Sequence, residues 1–145
     1  MKILITHSPS DQSLCRGLKK LFLESGYHIV ERNHPLEIYS ALTAKGKERI
    51  KQCDLAIVLL TANAQSSYRV HQEVEYLKEI HKDHFMIFNS AHHFEVKEYS
   101  YPEEHPVLNH EERRDELEQV KLLLTVFVGH MHIKDESLVY HVSHL

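Results

Sequence analysis

Cysteine, glycine and proline are all scarce in this 145-residue chain, and each scarcity excludes something. The two cysteines, Cys15 and Cys53, sit in apolar surroundings without C-x-x-C spacing. A disulfide framework, a zinc knuckle and a thioredoxin-type centre are therefore disfavoured, and a reducing cytoplasm is the expected compartment. Four glycines and four prolines, beside 42% hydrophobic and 26% charged residues, describe one globular domain rather than a disordered chain. At this length folding buries roughly 68 to 70% of the unfolded surface without help from metals or disulfides. Long apolar runs are also missing. The longest, Leu55 to Leu60, suits a buried strand and falls far short of the roughly 20 residues of a membrane span. The run Ile3-Leu4-Ile5 behind Lys2 is too short for a signal peptide. Net charge is -4 with both signs interleaved, so neither a membrane nor nucleic acid is an expected partner. What is abundant is histidine, present 14 times.

Strand and helix signals alternate along the chain. Lys2 to Thr6 is a short β-branched run opening into the polar cluster Thr6-His7-Ser8-Pro9-Ser10-Asp11. Leu14, Cys15, Leu18, Leu21 and Phe22 then form one stripe of an amphipathic helix, with Gly26 as its C-terminal cap. Tyr27 to Val30 reads as a strand and Glu31 to Leu36 as a loop. Ile38 to Gln52 reads as a polar helix interrupted by Gly46. Leu55 to Leu60, apolar without alternation, is the mark of a central parallel strand buried on both faces. A polar loop over Thr61 to Ser67, a helix from Tyr68 to Lys82 and a strand from Phe85 to Phe88 follow. One more short strand is expected around Val107, then a helix from Glu111 to Phe127 stopped by Gly129, and a tail without assignable role. The pattern predicts an α/β fold of the flavodoxin-like, doubly wound class, with a parallel sheet of four to five strands flanked by helices. Ligands in that class bind beyond the carboxyl ends of the strands, at the loops after Thr6, Val30, Leu60 and Phe88.

Projecting the Tyr68 to Lys82 helix at about 100° per residue puts Val70, Val74, Leu77 and Ile80 on the buried arc. Glu73 falls inside it, at roughly -60° from Val70. A carboxylate on a packing face needs a buried partner or a function. The plainer alternative is that Glu73 points along the edge of the arc toward solvent, or pairs with Arg69 one turn earlier. The loop from Thr6 to Asp11 offers hydroxyls, an imidazole and a helix N-terminus suited to anionic oxygens, although capping by Ser8, Ser10 or Asp11 accounts for the same residues. No G-x-G-x-x-G, Walker A, H-E-x-x-H or G-x-S-x-G pattern occurs. A response-regulator phosphorylation site lacks its acids. The histidine pairs His81/His84, His92/His93 and His130/His132 have no further ligand at metal-site spacing, so no metal is expected. Cys15 belongs to the apolar stripe and reads as core.

Three segments in order resemble the TIR (Toll/interleukin-1 receptor) domain family over about residues 1 to 128. Ile3-Leu-Ile-Thr-His-Ser-Pro-Ser-Asp11 is similar to its opening box, Cys53-Asp-Leu-Ala-Ile-Val-Leu-Leu-Thr61 to its central strand, and Ser67-Tyr-Arg-Val-His-Gln-Glu-Val74 to its W-x-x-x-E stretch. The resemblance implies a TIR-like domain over 1–128 with a tail over 129–145. It places Glu73 at the catalytic glutamate of NAD-consuming members, with Thr6, His7, Ser8 and Arg69 bordering the ligand. Arg69 stands where the family usually has Trp, and the loop Glu31 to Leu36 offers His34-Pro35 where many members have Gly.

The activity so implied is cleavage of NAD between nicotinamide and ribose, in a stand-alone bacterial-type antiphage protein. NAD is then substrate, no cofactor is required, and the product is ADP-ribose or a cyclic relative. Expected partners are further copies of the chain, through TIR-TIR contacts, and a separate effector protein. Two other readings stay open: a non-catalytic interaction module, and an enzyme resembling nucleoside deoxyribosyltransferases. Among the histidines, His7, His34 and His71 fall near the expected site, whereas the remainder reads mainly as surface composition.

Overall fold

The structure is a computed structural model that describes residues 1–32, 37, 39–90, 93–101 and 110–134. It is an α/β fold with a five-stranded sheet ordered β2-β1-β3-β4-β5, flanked by helices and compatible with the flavodoxin-like class. The strands are β1 (Lys2–Thr6), β2 (His28–Ile29), β3 (Leu55–Leu59), β4 (His84–Ser90) and β5 (His93–Tyr99). The helices are α1 (Gln12–Glu24), α2 (Ala44–Gln52), the short α3 (Ala62–Gln65), α4 (Tyr68–Glu79) and α5 (His110–Lys134). Among the described residues no helix is long and apolar enough to cross a membrane.

β3 sits at the centre because every one of its five side chains finds an apolar neighbour, and all are fully buried. The pleat divides the core in two. Ile3, Ile5, Leu55, Ile57, Leu59, Phe85 and Ile87 face α1 and α5, whereas Leu4, Ala56, Val58 and Met86 face α2 and α4. The parallel registers Ile3↔Leu55 and Ile57↔Phe85 keep like faces together.

Helix ends follow local chemistry. Thr43, Thr61 and Ser67 cap α2, α3 and α4 by accepting the amides of Gly46, Ala64 and Val70. At the end of α1, Gly26 takes φ of +90°, Gly26 N–H donates to Leu23 O and Tyr27 N–H to Phe22 O. This is a Schellman motif, sealed by the edge-on packing of Tyr27 against Phe22 at 5.6 Å. The end of α4 repeats it without glycine: His81, at φ of +53°, donates to Lys78 O, and Lys82 donates to Leu77 O.

Several expectations are corrected. The sheet is mixed rather than wholly parallel, since β5 returns antiparallel to β4 over seven residue pairs from His84↔Tyr99 to Ser90↔His93. The second strand is two residues long, not four, and the loop expected over Thr61 to Ser67 contains α3. α2 starts at Ala44, and Gly46 lies inside it without breaking it. α4 ends at Glu79, three residues before Lys82. α5 continues through Gly129 to Lys134, because an exposed glycine within an otherwise favourable helix costs only about 1 kcal/mol. The strand expected around Val107, the helix start at Ile38 and the loop residue His34 lie outside the described residues.

Candidate active site

The strand order reverses direction between β1 and β3, and the loops leaving their carboxyl ends form the crevice where this class of sheet binds ligands. Asp11 fastens the two loops together. Its carboxylate accepts Ser8 Oγ at 2.8 Å, Asn63 Nδ2 at 3.1 Å and the hydroxyl of Thr61, so the β1 loop is bonded to the start of α3. Asp11 and Ser8 are buried, and the hydroxyls that read as phosphate ligands are thus partly committed to this clasp.

Glu73 reaches the same region from the inner face of α4. Its side chain is only 3% exposed, which agrees with the helix projection. Oε1 accepts Arg69 Nε at 3.0 Å and Arg32 Nη2 at 3.2 Å. The pairing with Arg69 one turn earlier, weighed as the plainer role of Glu73, is therefore present, and it occurs inside the protein rather than at its edge. Oε2 is buried and has no hydrogen-bond partner among the described residues.

Arg69 is equally buried and is held from both ends. Besides Glu73 it donates through Nη1 to the carbonyls of Glu37, Ala41 and Ser40 at 3.0, 3.1 and 3.3 Å. A Cβ on Gly46 would stand 3.0 Å from Arg69 Nη2, so the absence of a side chain on α2 makes room for the guanidinium. Arg49 pairs with the carboxylate of Glu37 and joins the same arginine-rich wall.

His7, at the end of β1, is 6% exposed. Its Nδ1 lies 2.8 Å from the carbonyl of Ser8, which can only accept, so Nδ1 carries the proton and Nε2 is left as acceptor toward Arg32 Nη1 at 3.5 Å. Burial lowers the imidazole pKa below its usual range, with the Ser8 carbonyl opposing, and keeps the ring neutral. Thr6 is fully buried on the Leu4 face, and its hydroxyl has no partner among the described residues.

Two cavities flank this cluster. One, of about 360 Å³, is lined by Ser8, Ser67 and Arg69 among others, and the exposed Tyr39 and Tyr68 form part of its wall. The other, of about 270 Å³, is lined by His7, Arg16, Lys19 and Arg32 among others. Glu73 and Thr6 line neither. Of the expected site residues, His7 and Glu73 are therefore joined through Arg32, Glu73 and Arg69 are in direct contact, and Ser8 and Arg69 share a cavity. His71 does not join them; it is exposed and bonded through Nε2 to Gln65 O at 2.7 Å, on the far side of α4 from Glu73.

Sequence reasoning missed Arg32, Asp11 as a clasp, and the two tyrosines. Arg32 comes from a polar stretch 41 residues before Glu73, where no periodicity marks it. Asp11 carried a signal as a helix cap, yet two of its three side-chain partners come from 50 or more residues away. The reading of the remaining histidines as surface also fails at His84, which is fully buried and stacked on Tyr99 at 4.8 Å.

Fold and site together define an α/β sheet protein with a buried carboxylate clamped between arginines at its topological switch point. Comparison with protein-family models, with curated proteins and with solved structures gives no match, so no family is assigned to the chain.

Proposed function

We propose that the chain cleaves the nicotinamide-ribose bond of NAD, with Glu73 as the carboxylate that stabilises the reacting sugar. The observation that carries this reading is the unmet oxygen: Glu73 Oε2 is a buried anionic acceptor lacking any donor among the described residues. A group of that kind is costly unless something supplies the hydrogen bond, and a ribose hydroxyl is a donor of the right type. The pyridinium leaving group needs no proton. Its C–N bond breaks with the electron pair passing to the ring nitrogen, and positive charge develops on the ribose. Water then attacks the anomeric carbon and releases its proton to solvent, giving ADP-ribose and nicotinamide. A fixed carboxylate beside the sugar favours the charged transition state over the ground state. Arg69 holds Glu73 in place, and Tyr39 and Tyr68 offer the neighbouring cavity aromatic surface for a flat base. Release of nicotinamide from NAD tests the reading. Glu73→Gln, checked for its fold by circular dichroism, is expected to lose activity at least about a hundredfold, on the scale of removing one preorganised electrostatic group. Equal turnover by a folded variant removes Glu73 from the mechanism.

One observation favours a second reading, a non-catalytic module assembling with copies of itself. Glu73 Oε1 is already paired with two guanidinium groups, the buried one of Arg69 and the half-buried one of Arg32, as a purely structural carboxylate is. Self-association of the purified chain without nicotinamide release, including under crowding, selects this reading.

A further inference from the structure

The 270 Å³ cavity between α1 and the end of β2 has a lining with a strong bias of sign. Arg16, Lys19 and Arg32 meet in it with a single carboxylate, Glu31, which is paired with Lys19. Arg16 has no ion pair among the described residues. His7, the remaining polar ring on its wall, is neutral and turns its acceptor nitrogen toward Arg32. It therefore adds no countercharge.

Arg32 is unusual in belonging to two sites. It lines this cavity, yet its Nη2 is drawn to Glu73 at 3.2 Å, and its buried Nε has no hydrogen-bond partner among the described residues. Its side chain is only 14% exposed. A guanidinium offers five donors in a rigid fork that matches phosphate oxygens two at a time. Here Nε is unsatisfied and Nη1 reaches His7 only at 3.5 Å, next to two more cations whose mutual repulsion an anion would relieve. A cationic ligand would be repelled by such a lining.

We propose that this cavity binds a phosphoryl anion, inorganic or carried by a nucleotide, through Arg16, Lys19 and Arg32, and that Arg32 exchanges Glu73 for the anion when it binds. Glu73 then keeps Arg69 alone, and one of its two cationic clamps is lifted. The coupling runs both ways: whatever weakens the hold of Glu73 on Arg32 strengthens anion binding. Nothing in this site depends on NAD cleavage, and its test is read without turnover.

Calorimetric titration of the full chain with inorganic pyrophosphate, and separately with ADP, measures the site. Removing one charge-assisted donor by Arg16→Ala or Arg32→Ala is expected to weaken binding about tenfold or more. Glu73→Gln is expected to tighten it about threefold or more, and that gain should vanish in an Arg32→Ala background. Tighter binding of ADP than of pyrophosphate identifies a nucleotide phosphate as the ligand, and equal or weaker binding a free phosphate. The proposal is overturned if neither anion binds at millimolar concentration, or if both alanine variants bind like the parent. A Glu73→Gln gain that persists without Arg32 overturns the exchange. Arg16 is exposed, so its variant keeps the test sound even where Glu73→Gln perturbs the fold.

Discussion

Gly46→Ala changes one hydrogen into a methyl group inside α2, and two opposed effects can be weighed for it. Alanine is the better helix former by about 1 kcal/mol, so intrinsic propensity predicts stabilisation. Against this, the new Cβ would lie 2.7 Å from Leu42 Cδ1 and 3.0 Å from Arg69 Nη2. The Leu42 methyl is the far end of a flexible side chain and can rotate. Arg69 cannot, because Nη1 is anchored on three carbonyls and Nε on Glu73. Overpacking of this kind typically costs 1–3 kcal/mol, so a cost of about 2 kcal/mol outweighs the propensity gain and leaves Gly46→Ala less stable by about 1 kcal/mol. Urea denaturation followed by far-ultraviolet circular dichroism measures this directly. Gly17→Ala in α1 supplies the control: its Cβ would meet Phe127 Cε2 at an ordinary 3.6 Å, so the same chemical change there should stabilise by about 0.5–1 kcal/mol. In an Arg69→Met background the penalty at position 46 should shrink. Should Gly46→Ala match the gain of Gly17→Ala, Arg69 is not fixed against α2 and the wall described around Glu73 is wrong.

The other predictions concern the loop clasp and acid stability. Asp11→Ala removes the acceptor shared by Ser8, Thr61 and Asn63, and should cost about 2–3 kcal/mol with Asp11→Asn costing less; an unchanged denaturation midpoint would show that the two loops hold without it. Burial lowers the pKa of His84 below 6.5, so the unfolded chain binds the proton more readily than the folded one. Stability from this group is therefore intact above about pH 6.5 and falls as pH drops toward the lowered folded value, by at most about 1.4 kcal/mol per pH unit. Denaturation midpoints between pH 7.5 and 5.5 should show that slope, reduced in His84→Phe; the same slope in both proteins would assign it elsewhere. Glu98 behaves likewise at lower pH. Its hydrogen bonds to Arg114 depress the carboxyl pKa, so that contribution is present above about pH 4.5 and is lost on further acidification.

What the sequence made legible is what rests on local pattern. Leu55 to Leu59 announced a buried central strand because no position in it is polar, and Gly26 announced a helix end because the Schellman turn requires a positive φ there. The burial of Glu73 was legible from its neighbours Val70 and Leu77, since a helix fixes which residues share a face. β5 was not. Phe94 and Val96 point inward between Glu95 and Lys97, yet an edge strand that keeps half its residues polar looks like loop when no turn signature precedes it. The end of α4 was misplaced for the converse reason: His81 takes the backbone conformation that glycine usually marks. Arg32 acts through partners 25 and 41 residues away and Asp11 joins its loop to Thr61 and Asn63, 50 and 52 residues away, and no window along the chain contains both ends of such a contact.

The clasp made by Asp11 also decides where adaptability can reside. Because the β1 loop and the start of α3 are bonded into one rim, a ligand arriving at the switch point meets a surface that is already ordered. Little loop entropy is then lost on binding. Among the described residues the guanidinium of Arg32, which stands between His7 and Glu73, is not bonded to that rim. An exchange of partners by that side chain is a change of rotamer and leaves the bonds of Asp11 to Ser8, Thr61 and Asn63 in place.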